Sequence, residues 1–430
     1  MTNRRRWEVL AASALWLCAT LIMAGIMAGI MAGMMAEVMA EVMAGQNRAP
    51  ATPAAAPQVP AVVPAAAPVD PVEAYKEDVH QQSGVTCASC HGAGAPGPIA
   101  RTRIASLCAS CHSNPVYMRT FRPQVRTDQH SQYLTSVHGQ QMAKGETRVA
   151  TCSDCHNAHG VRPVKDARSP VAPVNVAQTC ARCHGDGNRM TPFGRDPAVY
   201  DDWSHSVHAA ALLQRGDTSA PTCSTCHGSH GATPPGIDSV ANICSTCHVR
   251  EAELYQSSTK RVAFELAEQP ACLTCHSNHK IVHPQDAWID LKEPALCATC
   301  HTDDMAGAAL IRTVRTGFDT LTTKFDAAKA LLDRAEEAGM LVDDGRSALR
   351  EATEQRVRLR VAVHAFAEAP FKESLDLGVA AADRAQQAAD AAMKELNFRR
   401  RGLALATLVI LGFLLTLAVK IRRLPPPTSP

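Results

Sequence analysis

A chain of 430 residues with 17 Cys, 18 His and only 4% aromatic side chains has room for several domains but little to build an ordinary apolar core from. Its formal charge of +2 offers no basic excess, and nothing in the sequence points to a nucleic-acid partner. Sixteen of the cysteines fall into one recurring pattern, which leaves none for a structural disulfide framework.

Residues 1–45 open with Arg4, Arg5 and Arg6 and run into a long apolar segment that ends in the low-complexity repeat IMAGIMAGIMAGMMAEVMAEVMAG. This reads as an export signal or signal anchor, with cleavage after Ala44 expected from the small-residue pattern Val42-Met43-Ala44. Residues 46–72 form an Ala/Pro-rich linker, semi-rigid and extended.

Residues 73–302 carry the pattern itself. Cys-x-x-Cys-His occurs eight times: Cys87, Cys90 and His91; Cys108, Cys111 and His112; Cys152, Cys155 and His156; Cys180, Cys183 and His184; Cys223, Cys226 and His227; Cys244, Cys247 and His248; Cys272, Cys275 and His276; Cys297, Cys300 and His301. Such a motif can bond both vinyl groups of a haem through its thiols while the following imidazole ligates the iron. Zinc sites also use Cys-x-x-Cys pairs, but they do not require a histidine directly after every one. The pattern therefore implies eight covalent c-type haems, and the porphyrins supply the apolar volume that the side chains lack. Two propionates per haem make the loaded protein acidic, which suits a partner with a basic docking face.

The motifs fall into four two-motif repeats. Each repeat has two further histidine positions, one upstream of its first motif and one three residues beyond that motif's histidine. The upstream position holds His80, His138 and His208 in the first three repeats; the downstream one holds His159, His230 and His279 in the last three. These six are expected as second axial ligands. Gly94 occupies the downstream position of the first repeat and residues 257–259 the upstream position of the last, so two haems lack an evident partner. His130 and His205 are the first candidates for them, with His283 and His364 behind; His283 reads first as a surface residue, and His364, at helical spacing from Val357 and Val361, first as a core histidine.

Beyond residue 302 the composition turns to Ala, Leu and alternating charge. Residues 303–400 read as a helical hairpin or stalk, with helices over 303–339, from Asp343-Asp344-Gly345 as a capped turn to about Ala369 before Pro370, and over 375–401. Residues 401–423 contain the apolar run GLALATLVILGFLLTLAV between basic flanks and read as a transmembrane helix, with residues 424–430 as a cytoplasmic tail. Basic residues at both ends leave the orientation to haem chemistry, which attaches the eight haems outside the cytoplasm. The fold expected is mainly α with much irregular loop.

The eight motifs, the CHGSHG and CHNAHG units and the upstream SVH segments resemble the multihaem cytochrome c superfamily, with class III-like tetrahaem cytochromes and octahaem reductases among its members. The resemblance implies motif histidines as proximal ligands, the upstream and CHxxH histidines as distal ones, and a chain of low-spin haems that carries electrons. The C-terminal helices and single anchor look like those of membrane-bound multihaem cytochromes, which implies a b-type cytochrome or quinol oxidoreductase complex on the membrane side and a periplasmic redox protein as the other partner. The rival reading is an enzyme. Nitrite reductases of this kind carry Lys in one motif, a feature absent here; hydroxylamine oxidoreductase-like enzymes leave a distal position open, as the two gaps above would allow.

Overall fold

The computed structural model describes residues 70–94, 97–121 and 125–423; the export segment, most of the Ala/Pro linker and the tail 424–430 lie outside them. The described residues are mostly helical and contain no strand.

Up to His301 the helices are short, and local chemistry sets their limits. Thr86, Thr151 and Thr222 precede the first motif of the first three repeats. The backbone N–H of each donates to the side chain three residues on, Ser89 at 3.3 Å, Asp154 at 2.7 Å and Thr225 at 3.1 Å. Single-turn helices Cys87–His91, Cys152–His156 and Cys223–His227 result. In the fourth repeat Ala271 replaces the threonine, and the helix begins later, at Leu273–His276. Directly after each of these motif histidines the backbone turns left-handed, with φ of 80° at Gly92, 67° at Asn157, 81° at Gly228 and 65° at Ser277. Gly228 has no alternative, since a Cβ there would meet the Thr233 backbone at 2.8 Å.

The second motif ends a longer helix in the first two repeats, Arg101–His112 and Pro173–His184, and lies on a 3₁₀ turn in the last two, Val240–Thr246 and Cys297–Thr299. Burial in this region rests mostly on small side chains. Apart from Met118, Met142, Met190, Trp203 and Leu212, its buried apolar residues are alanines.

The C-terminal part is a three-helix bundle formed by Ala308–Glu337, Asp343–Ala362 and Glu368–Arg422. One end of its core holds Val314, Phe318, Leu321, Leu359 and Phe371, with the Phe318 and Phe371 rings edge to face at 5.6 Å. The other end packs Leu332, Val342 and Leu349 onto an alanine stripe, Ala385, Ala389 and Ala392. Small residues let the helices approach closely: a Cβ on Gly317 would lie 2.7 Å from the Phe371 ring, and one on Gly345 2.4 Å from Leu332. Surface ion pairs such as Lys324–Asp383 and Arg384–Glu351, each 2.5 Å, add little.

Three boundaries differ from the sequence reading. Asp343 and Asp344 start the second helix rather than forming a turn before it, and Gly345 sits inside that helix because Leu332 fills the space its side chain would need. The second helix ends at Ala362 and not near Ala369. Pro370 lies in the first turn of the third helix, where its missing N–H costs nothing. The break comes earlier, at a 3₁₀ turn Val363–Ala365 followed by Phe366 at φ 47°. The third helix then runs unbroken for 55 residues, about 80 Å. Its last buried residue is Leu396; the apolar stretch beyond is fully exposed and is long enough to cross a membrane.

Candidate haem-ligand array

Two imidazoles bound to one iron through Nε2 have ring centroids about 6.3 Å apart, given metal–nitrogen bonds of about 2.0–2.1 Å. Seven of the eight motif histidines stand at close to that separation from a second histidine. From the first motif to the seventh, His91 faces His159 at 6.1 Å, His112 faces His80 at 5.9 Å, His156 faces His230 at 6.1 Å and His184 faces His138 at 6.0 Å. His227 faces His279 at 6.0 Å, His248 faces His208 at 6.5 Å and His276 faces His364 at 6.1 Å. Among the described residues no group of three or more His, Cys, Asp and Glu converges as a bare metal ion would need. A tetrahedral zinc site takes four protein ligands, whereas a porphyrin fills four positions itself and leaves two for protein. Paired imidazoles therefore fit haem iron.

The pairing follows one rule. A second motif takes its partner from the upstream position of its own repeat. A first motif takes it from the CHxxH unit of the next repeat, and the left-handed residue after each motif histidine directs that segment away from its own motif. The rule accounts for Gly94. The downstream position donates backwards, and the first repeat has nothing before it to serve. Gly94 therefore leaves no motif histidine unpaired, contrary to the sequence reading.

The upstream positions share a construction that the sequence reading did not resolve. An aromatic residue is followed three residues later by a helix cap and two after that by the donor: Tyr75, Asp78, His80; Tyr133, Ser136, His138; Trp203, Ser206, His208; and Tyr255, Ser258, Lys260. Each cap is buried and accepts a backbone N–H from the first turn of its helix. In each case the cap's own N–H donates to the aromatic residue's carbonyl, at 2.9 to 3.1 Å. Placing the fourth position at residues 257–259 missed this register by one residue. Lys260 occupies it, and Lys260 Nζ lies 3.2 Å from His301 Nε2.

His364 is the other partner, one that sequence reasoning ranked below a core histidine. Helical spacing put it on an apolar face, but it lies in the 3₁₀ turn after the second bundle helix, outside that periodicity. His130 and His205 are not brought to a motif histidine. His130 lies in the helix Gln129–Thr135 and makes no ring-to-ring pair with one, and His205 caps a helix with its Nδ1 2.7 Å from the Asp201 carbonyl. His283 is exposed, with Nδ1 3.0 Å from the Pro284 carbonyl.

The polar surroundings suit ligation through Nε2. His91 Nδ1 is 3.0 Å from the Gly97 carbonyl and His364 Nδ1 3.0 Å from the Val361 carbonyl. An Nδ1–H donated in this way leaves the Nε2 lone pair for a metal. Burial pushes His112, His138, His156, His184, His208, His227, His230 and His276 below the usual histidine range, towards the neutral form that iron binding requires.

His80 is the exception in kind. Its Nδ1 lies 2.9 Å from Asp78, a fully buried carboxylate that also accepts the His80 and Val161 backbone N–H groups, each at 2.8 Å. A carboxylate behind a ligating imidazole raises its basicity and favours the ferric state. Asp78→Asn is therefore expected to raise the potential of the haem at His112 and leave the others in place. A tenfold change in ferric preference corresponds to about 59 mV for a one-electron couple, and spectroelectrochemical titration would read a shift on that order.

The attachment thiols adjoin one another in chain order. Burial pushes the Cys90, Cys155, Cys226 and Cys275 thiols up, and a neighbouring thiol adds to the rise: Cys111 beside Cys90, Cys180 beside Cys155, Cys244 and Cys247 beside Cys226, and Cys300 beside Cys275. Between repeats Cys108 neighbours Cys152, Cys180 neighbours Cys223 and Cys244 neighbours Cys272. The last motif meets the bundle. Cys297 lines an apolar cavity with Ile289, Leu310, Val314, Phe366 and Phe371, and Arg360 holds Asp286 through two contacts of 2.8 and 3.2 Å.

Comparison with known proteins finds a match to the cytochrome c3 family over residues 79–185 and 217–302, a little under half of the chain. Similar proteins include the C-type polyheme cytochrome OmcC of Geobacter sulfurreducens, 26% identical over 172 residues, which are 37% of this chain and 18% of that protein. The multiheme cytochrome MtrA of Shewanella baltica is 26% identical over 159 residues, 35% of this chain and 40% of that protein. The alignments thus span well under two thirds of either relative. No solved structure matches significantly.

Proposed function

We propose that this chain, a multihaem c-type cytochrome, is a membrane-anchored electron carrier with eight covalent haems. It would pass electrons between a quinol-oxidising or b-type cytochrome complex in the membrane and a redox protein outside the cytoplasm. Each bound haem c would supply one-electron Fe(III)/Fe(II) chemistry. The chain's own residues do the rest. Sixteen thiols would fix the macrocycles, and seven imidazole pairs would hold their irons in a coordination that needs little rearrangement on oxidation or reduction.

The observation that carries this reading is the pairing of seven of the eight motif histidines with a second histidine at 5.9 to 6.5 Å. These pairs favour a carrier over an enzyme, because the second imidazole of each would take the position a substrate would need on the iron. The exposed apolar half of the third bundle helix supports anchoring, and attachment of haem outside the cytoplasm would set residues 424–430 inside.

The test is expression with the haem-attachment machinery, followed by intact mass, spin state and membrane fractionation. Eight haems per chain, low-spin iron and release from membranes only by detergent are expected. Fewer than eight haems, or a protein washed off by salt, would defeat the corresponding part of the proposal.

A further inference from the structure

We infer that Lys260 supplies the sixth ligand to the last iron through Nζ, opposite His301, so that one His/Lys haem closes an array of seven His/His haems. The inference rests on the haem reading proposed above and extends it to a ligand that no Cys-x-x-Cys-His or histidine count reveals.

Three observations carry it. The first is contact: Lys260 Nζ is 3.2 Å from His301 Nε2, the nitrogen a motif histidine turns to iron. The second is register. Lys260 is the second residue of a helix capped by buried Ser258, whose Oγ accepts the Arg261 N–H at 3.3 Å, and Ser258 N–H donates to the Tyr255 carbonyl at 3.0 Å. His138 and His208 are the second residues of helices built in the same way on Ser136 and Ser206. One construction thus delivers imidazole three times, counting His80 behind Asp78, and an amine the fourth time. The third is that competing claims are weak: Lys260 has one cation–π contact, and His301 has no second imidazole beside it among the described residues. Lys260 makes no ion pair among the described residues, its Nζ lies 4.7 Å from the Phe264 ring centroid, and no described histidine ring pairs with His301.

The chemistry balances simply. A lysine amine binds metal only as the neutral base, so its ammonium gives one proton to solvent as the Nζ lone pair forms the bond to iron, with no change of oxidation state. Two nitrogens on one iron stand about 4 Å apart. The rotatable four-carbon stem supplies the difference from the present contact. An aliphatic amine is a harder donor than imidazole and accepts no electron density back from ferrous iron. The last haem would therefore differ in potential from its neighbours where the array meets the bundle.

The experiment compares the wild-type holoprotein with Lys260→His and Lys260→Ala. Intact mass would count haems, electron paramagnetic resonance and resonance Raman would count spin states, and near-infrared magnetic circular dichroism would report axial pairs. The wild type is expected to be wholly low-spin, with one part in eight of the near-infrared intensity set apart from the bis-imidazole band. Lys260→His should merge that part into the main band. Lys260→Ala should make one eighth of the haem high-spin, reversed by added imidazole. A wild type already one eighth high-spin and unaltered by Lys260→Ala would overturn the inference and make Lys260 a neighbour of an open iron. An unchanged near-infrared spectrum in Lys260→His would overturn it as well, and this arm stands even where the alanine variant does not fold. His364→Ala separates the two levels of argument. If it adds no high-spin haem, the His/His array fails at that site, while the Lys260 result is read on its own.

Discussion

Replacing His364 by alanine is expected to leave one haem in eight high-spin and five-coordinate, with all eight still attached. The reason is positional. The seventh motif is the first motif of the last repeat, and no further repeat follows to lend it a CHxxH histidine. The bundle supplies one instead, with the His364 ring nearly parallel to that of His276, 16° between planes. The hairpin is shaped for this. The second helix stops at Ala362, a single 3₁₀ turn presents His364, and Phe366 takes a left-handed conformation that a bulky residue adopts only under the constraint of its surroundings. His283→Ala is the matched control, an exposed histidine in the same region whose loss should leave every spin state unchanged. Equal spectra from the two variants would refute the pairing of His276 with His364.

Without haem the two halves of the molecule are expected to part company. Hydrogen exchange on a chain with its motif cysteines replaced should show residues 75–301 exchanging at the rate of an unfolded peptide, while amides near Leu321, Leu332 and Leu359 stay protected by several orders of magnitude. Burying a Leu or Phe side chain contributes about 1.5–3 kcal/mol, and the bundle buries many. Among the described residues the haem-binding half buries chiefly alanines, and its one sizeable cluster surrounds Trp203 and Leu212. The short motif helices lie below the length at which isolated helices persist. Substantial protection of residues 75–301 in the haem-free chain would contradict this division.

The sequence reading went furthest where covalent chemistry leaves a literal mark. Eight Cys-x-x-Cys-His motifs, six further histidines at repeat positions and the C-terminal apolar run were legible because spacing alone carries the signal. One donor was ranked too low and one was missed, for different reasons. His364 has no repeat counterpart, and its helical spacing to Val357 and Val361 is broken by a turn that begins just before it. Lys260 could have been found by aligning buried caps and not histidines, since Ser258 and Tyr255 keep the pattern even where the donor changes. The helix limits at Gly345 and Pro370 depended on what lies opposite them, Leu332 in one case and a free first turn in the other. Neither is local in sequence.

The backward donation of histidines also has a consequence in time. A chain threaded through a membrane from its N-terminus presents each second motif after its partner, so that iron can be closed as soon as it is attached. Each first motif arrives before its partner and waits for the following repeat. At every stage of export the emerging end would hold one unfinished site, and the one at His276 would stay open until residue 364 had crossed. The array would then be completed only once the chain had crossed as far as the bundle, and a product truncated before residue 364 would betray itself by an open iron at its end.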